Sequence, residues 1–156
     1  GPSHVALFLH RDGHFGRSCP AIFEKLVNAM RSQPGMYFSP QIALHVRCVE
    51  LHTYTPGDGL MIEGHRDQGS IVTMTVLLSD AHSFEGGIFI TCARGEPCDG
   101  DSTLGGTHVP HLASRGDAFL FHSEKMHNVS PVVRGVRHTL VIELWLSEPN
   151  KMDRHS

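Results

Sequence analysis

The stretch at residues 137–146, RHTLVIELWL, constrains the fold of this chain more than any other. Two-residue alternation puts Leu140, Ile142, Leu144 and Leu146 on one face of an extended strand and Arg137, Thr139, Val141, Glu143 and Trp145 on the other. An apolar strand face needs a cover, and one segment can supply it. Ile22, Phe23, Leu26, Val27 and Met30 recur at helical spacing, with Ser18 in the N-cap position, Pro20 in the first turn and Pro34-Gly35 closing the segment, which predicts an amphipathic helix over 20–33. The mixed face, arginine included, then points into the interior of a barrel or sandwich. From about residue 43 onward, short runs rich in Val, Ile, Thr and Phe alternate with turn signals such as Pro56-Gly57-Asp58-Gly59. Strands are predicted over 43–54, 60–66, 71–78, 87–92, 117–122, 127–133 and 137–146. The chain is therefore mostly β with a flanking N-terminal helix. The polar, Gly-rich stretch 92–116 is too long for a hairpin and reads as a binding loop, a lid or an insertion.

At 156 residues, with no repeat and no linker, the chain reads as one domain over 4–156, and Gly1-Pro2-Ser3 reads as the scar of a cleaved tag. A net charge of −3 lacks the basic excess of a nucleic-acid or anionic-lipid binder, so neither partner is expected. No run of 18 apolar residues spans a membrane. Cys19, Cys48, Cys92 and Cys98 show no CxxC pairing and read as free thiols. Within 92–116, Cys92, Cys98, His108 and His111 lack the spacing of common zinc modules; a Cys92–Cys98 disulfide and a second metal site are the competing readings. The Asn128-Val129-Ser130 sequon directly follows His127, discussed below, where a glycan would not fit; this leans toward an intracellular protein. Oligomeric state is not legible.

Histidine is the anomaly: there are 13, as many as lysine and arginine together, and imidazole is a common metal ligand. On a strand, His65 and Asp67 of His65-Arg66-Asp67 share a face and can grip one ion. A second copy, His10-Arg11-Asp12, precedes the helix without a β pattern around it and reads as surface. With Asp and two histidines, His65 and His127, the set matches the facial triad of non-haem iron(II) oxygenases, which leaves adjacent coordination positions open. Ten residues after His127 stands Arg137 in Gly135-x-Arg137, with Arg134 as its rival.

Tyr54-Thr55-Pro56-Gly57, His65-x-Asp67, Phe84-Glu85-Gly86-Gly87, Gly116-Asp117 before an apolar strand, and His127 followed by Pro131-Val132 and Gly135-x-Arg137 occur in this order over residues 50–146. The arrangement resembles the iron(II)- and 2-oxoglutarate-dependent dioxygenases, in particular the prolyl 4-hydroxylase and lysyl hydroxylase catalytic domains. The resemblance implies a double-stranded β-helix barrel (jelly-roll, cupin-like) backed by the helix. It implies that His65, Asp67 and His127 hold Fe(II), that Arg137 pairs with the distal carboxylate of 2-oxoglutarate, and that Thr139 and Tyr54 line the same pocket. O2 is the co-reactant and ascorbate a supporting reductant. The implied reaction is hydroxylation of a C–H bond, of a prolyl or lysyl residue in a protein or peptide, or else of a free amino acid or other small molecule. A non-catalytic cupin-like binding module is the alternative of another class. One departure stands out: prolyl hydroxylases often carry a tyrosine on the strand after His-x-Asp, whereas Thr73, Thr75 and Leu77 hold the inward positions here, with Thr75 a substitute. His122 and His138 read as strand residues of opposite parity or as supports of the ligands.

Overall fold

The computed structural model describes residues 4–32, 41–62, 64–92 and 108–153. Its elements are β1 (Val5–Phe8), a 3-10 turn (Arg11–Gly13), α1 (His14–Ser18), α2 (Pro20–Ser32), β2 (His45–Tyr54), β3 (Val72–Leu77), β4 (Phe84–Gly86), β5 (Phe89–Cys92), β6 (His108–His111), β7 (Ala118–His122), β8 (His127–Val129), β9 (Val132–Gly135) and β10 (Arg137–Trp145). Five strands form one sheet in the order β1-β2-β10-β3-β7, three form a second in the order β6-β5-β8, and β4 pairs with β9. Every pairing is antiparallel.

β10 lies at the centre of the large sheet, and its alternation divides the molecule. Leu140, Ile142 and Leu144 share one apolar cluster with Val49, Val72, Met74 and Val76, and with Val27 and Met30 of α2. On the other face, register pairs Arg137 with Tyr54, Thr139 with His52 and Leu77, and Val141 with Glu50 and Thr75. Glu143 pairs with Thr73, and β7 extends this face with Phe119 opposite Thr75 and Phe121 opposite Thr73. Leu146 lies past the end of β10 and is exposed, so the apolar row is one residue shorter than its sequence pattern.

Several expectations are corrected. The described residues of 60–66 form no strand: Leu60 makes one isolated bridge to Val129, and the chain on either side of it is held by Gly57 N–H donating to the Val132 carbonyl (2.8 Å) and Asp67 N–H to that of Ser123 (2.9 Å). His65 and Asp67 therefore stand on a loop, not on one strand face. The run 127–133 splits into β8 and β9 at Pro131, which has no N–H for a ladder. β1, β4 and β6 were not anticipated, and β6 falls inside the stretch read as a loop. Ser18 ends α1 and does not cap α2.

His10 is buried, not superficial: Nδ1 accepts the Val49 N–H (3.1 Å) and Nε2 donates to the Asp153 carbonyl (3.1 Å). Both ring nitrogens thus tie the chain ends to β2. Cys19 and Cys48 are free thiols, but Cys92 is disulfide-bonded, against the free-thiol reading; residues 1–3, 33–40, 63, 93–107 and 154–156, and with them Cys98, lie outside the described residues. Among the described residues no helix is long and apolar enough to cross a membrane.

Gly135 joins β9 to β10 at φ +77°, and a Cβ there would fall 2.1 Å from the Ser83 carbonyl oxygen and 2.9 Å from Phe84 Cα. Both obstacles are backbone. Gly135→Ala should cost about 2 kcal/mol or more. The check is a thermal melt, in which Tm falls by about 5 °C or more.

Candidate active site

Three side chains converge from one loop and one strand start. His65 and Asp67 sit between β2 and β3, and His127 opens β8; His127 N–H donates to the His65 carbonyl (3.2 Å), which ties the loop to the strand. His65 Nε2 lies 3.5 Å from Asp67 Oδ1, and His127 Nε2 lies 3.6 Å from Asp67 Oδ2. All three donor atoms fall within 4.8 Å of one another, and this is the one such group among the described residues. Ligands bonded at about 2.1 Å to one ion sit about 3.0 to 3.4 Å apart, so a small contraction lets one divalent metal take all three.

The surroundings prepare each donor. His127 Nδ1 donates to the Lys125 carbonyl (2.9 Å), which leaves Nε2 as the lone-pair nitrogen facing Asp67. The Thr73 hydroxyl donates to Asp67 Oδ2 (2.9 Å) and lies 2.9 Å from the Ser123 hydroxyl. Burial acts to raise the Asp67 pKa, but His65, His127 and Thr73 together outweigh it and hold the carboxyl below its ordinary value. Burial lowers the His127 pKa against the pull of Asp67. The result is an anionic carboxylate and a neutral imidazole, the forms that ligate metal.

Arg137 enters the same cavity from β10. It is 5% exposed, its guanidinium carbon lies 5.2 Å from the centre of the Tyr54 ring, and its Nε is buried without a hydrogen-bond partner. Burial lowers its pKa and Tyr54 opposes this; no carboxylate among the described residues contributes. A guanidinium keeps its charge under such pressure, so Arg137 presents a buried cation that an anionic ligand would satisfy. The backbone at Gly87 lies against its stem, where an added Cβ would meet Arg137 Cδ at 2.7 Å. Arg134, the rival, is exposed beside Glu85 (3.7 Å). The cavity measures about 160 Å³ and is lined by His65, Asp67, His127, Tyr54, Arg137 and Thr139, with Phe89, Phe121 and Val129 among its apolar walls.

The structure also places residues here that sequence reading did not single out. His4 stacks on Tyr54 (4.7 Å between ring centres) and packs on His52 (4.2 Å), and His52 Nε2 lies 2.7 Å from Glu50 Oε2. The parity of Glu50, His52 and Tyr54 along β2 was the available signal. His138 faces outward and bonds the Thr53 hydroxyl (3.1 Å), and His122 is exposed. His111 bonds Thr91 (2.8 Å), and neither it nor His108 joins a metal cluster among the described residues. Asn128 is buried, its amide oxygen accepting the Ile62 N–H (3.0 Å), so no glycan fits at the sequon.

No family model and no curated protein matches the chain in sequence. Solved structures do match. A 2OG-Fe(II) oxygenase family oxidoreductase from Burkholderia pseudomallei aligns at TM-score 0.58 and 16% identity, over 85% of this chain and 59% of that one. The viral collagen prolyl hydroxylase of Paramecium Bursaria Chlorella virus-1, solved with 2OG, aligns at TM-score 0.57 and 15% identity, over 91% and 79%. A Pseudomonas putida prolyl-4-hydroxylase aligns at TM-score 0.55 and 15% identity, over 94% and 77%. The chain has the fold of the 2OG-Fe(II) oxygenases. It spans less than two thirds of the Burkholderia protein.

Within that oxygenase fold, the triad predicts uptake of one divalent ion per chain. Titration with Co(II) or Mn(II) should show binding that falls by two orders of magnitude or more in His65→Ala, Asp67→Ala or His127→Ala. Thr73→Val, which removes a support and no ligand, should weaken it about tenfold. Undiminished binding in Asp67→Ala would remove the site.

Proposed function

We propose that the protein is an oxygenase that couples oxidative decarboxylation of 2-oxoglutarate to hydroxylation of a C–H bond. The observation that carries this reading is one cavity holding both a two-histidine, one-carboxylate cluster and a buried arginine that no carboxylate among the described residues partners. We further infer that the sheets close as a double-stranded β-helix around that cavity, backed by α2. The balanced reaction takes 2-oxoglutarate, O2 and R–H to succinate, CO2 and R–OH. Fe(II) bound by His65, Asp67 and His127 would supply the redox chemistry, with positions left open for cosubstrate and oxygen; ascorbate would keep it reduced.

The chain's own residues have defined tasks in this reading. Arg137 binds the distal carboxylate of 2-oxoglutarate through its planar fork, which selects a diacid. Tyr54 lies against the guanidinium and fixes its plane, and Thr139, on the same face two residues on, contributes a hydroxyl to the pocket. Thr73 and the Lys125 carbonyl hold Asp67 and His127 in ligating orientation. Phe89, Phe121 and Val129 exclude water from the reacting end. For the hydroxylated group we propose a prolyl or lysyl residue of a protein or peptide, on the ground that two of the similar structures are prolyl hydroxylases.

The test is succinate formation from 2-oxoglutarate with added Fe(II) and ascorbate. Arg137→Ala should raise the KM for 2-oxoglutarate about a hundredfold, while Arg134→Ala leaves it within twofold. A wild-type protein that neither consumes nor binds 2-oxoglutarate ends this reading. Peptides with Pro or Lys, screened for a mass gain of one oxygen, test the substrate; a gain on free amino acids alone would move the assignment to small molecules.

A further inference from the structure

A second and larger cavity reaches Arg137 from the side away from the triad. It measures about 350 Å³, and neither His65, Asp67 nor His127 lines it. Thr75, Phe89, Arg137 and Thr139 line both cavities, so the two meet at the arginine. Beyond that junction the walls turn apolar, with Leu77, Phe84, Ile88 and Phe119. Leu112 also lines it and is 86% exposed, so the cavity has a mouth there, and Ala81 is exposed at the rim.

We propose that this cavity binds an apolar monocarboxylate of medium chain length, its carboxylate on Arg137 and its tail along Leu77, Phe84 and Ile88 toward the mouth at Leu112. Three observations carry the assignment. The buried guanidinium demands an anion, and no carboxylate among the described residues supplies it. The volume lies at the lower end for small-molecule sites, enough for a chain of several carbons. The lining between the arginine and the mouth is apolar except for His111, whose Nε2 is held to the Thr91 hydroxyl, so it favours an aliphatic tail over a second charge. A carboxylate seated from either cavity uses the same guanidinium, so such a ligand competes with 2-oxoglutarate without touching the metal ligands. Binding needs only Arg137 and the cavity; the competition rests on the cosubstrate role proposed above.

The experiment is calorimetric titration of the metal-free protein with butyrate, hexanoate and octanoate, followed by turnover assays. Each added methylene should tighten binding about fourfold until the cavity is full. Octanoate binding should be lost in Arg137→Met and weakened tenfold or more in Ala81→Trp, which fills the mouth from an exposed turn, and in Leu77→Trp. Ala81→Trp should still turn over 2-oxoglutarate, and in wild type octanoate should inhibit competitively with it. Equal affinity for butyrate and octanoate, or octanoate binding that survives Arg137→Met, overturns the proposal. If 2-oxoglutarate is turned over and millimolar octanoate leaves the rate unchanged, the proposal fails while the oxygenase reading stands. If octanoate binds with the chain-length dependence but 2-oxoglutarate is not consumed, the oxygenase reading fails and this assignment stands.

Discussion

Strand β10 is hydrogen-bonded on both edges, to β2 and to β3, and its side chains alternate between two environments that have little in common. Ile142 and Leu144 are fully buried against apolar neighbours, while Arg137, Thr139 and Glu143 are buried with polar ones. A one-residue slip would carry Arg137 and Glu143 into the apolar cluster and Ile142 and Leu144 into the polar cavity. Register is thereby fixed from both faces at once. Because Tyr54 and Thr75 take their positions from that register, the cavity geometry is a consequence of the sheet and needs no separate device.

A charged interior has to be satisfied residue by residue, since burying an unpaired ion costs several kcal/mol. Glu143 lies deep in the cavity wall, and burial, with the nearby Asp67, raises its pKa. The Ser70 hydroxyl donates to it at 2.5 Å and Arg47 Nη1 stands 3.6 Å away. The same Nη1 donates to the Gln68 carbonyl (2.7 Å) and to the Ser70 hydroxyl (2.9 Å). Arg47 is itself stacked beneath Trp145 at 5.2 Å. The loop that carries His65 and Asp67 is thus anchored at its far end by a buried ion pair on β2 and β10. An irregular segment can present two metal-ligating side chains because its backbone carbonyls are occupied by strand residues.

What the sequence disclosed follows how locally each feature is encoded. β10 and β3 carry period-two alternation, β7 is a short apolar run opened by Gly116-Asp117, and α2 carries its own helical period, so these were legible. β1, β4 and β6 have four, three and four residues and owe their existence to partners far along the chain, which no local pattern reports. Leu60 and Ile62 mimic strand alternation, yet their hydrogen bonds go to Val129 and to the Asn128 side chain. At the site, His65, Asp67, His127, Tyr54 and Arg137 could be named because each sits in a spaced motif. Parity turned Thr73 inward but did not reveal its bond to Asp67, and Ser123 and the Lys125 carbonyl could not be named at all, because a supporting hydrogen bond is made by whichever atom the fold brings near.

The two His-x-Asp triplets show why the histidine count decides nothing alone. In His10-Arg11-Asp12 both imidazole nitrogens are consumed by backbone groups, and Asp12, at φ +52° in a 3-10 turn, joins no metal-ligating cluster among the described residues. His10 is therefore a clamp between β2 and the C-terminal segment. In His65-Arg66-Asp67 the nitrogen nearest the carboxylate is taken by no backbone group among the described residues, and His127 turns Nε2 toward Asp67 because the Lys125 carbonyl occupies Nδ1. His4 and His52 take a third course, His4 stacking on Tyr54 and packing on His52, whose Nε2 bonds the Glu50 carboxylate. The same side chain serves as fastener, ligand and wall, and what separates the fastener His10 from His127 is that the backbone takes both ring nitrogens of the first and only Nδ1 of the second.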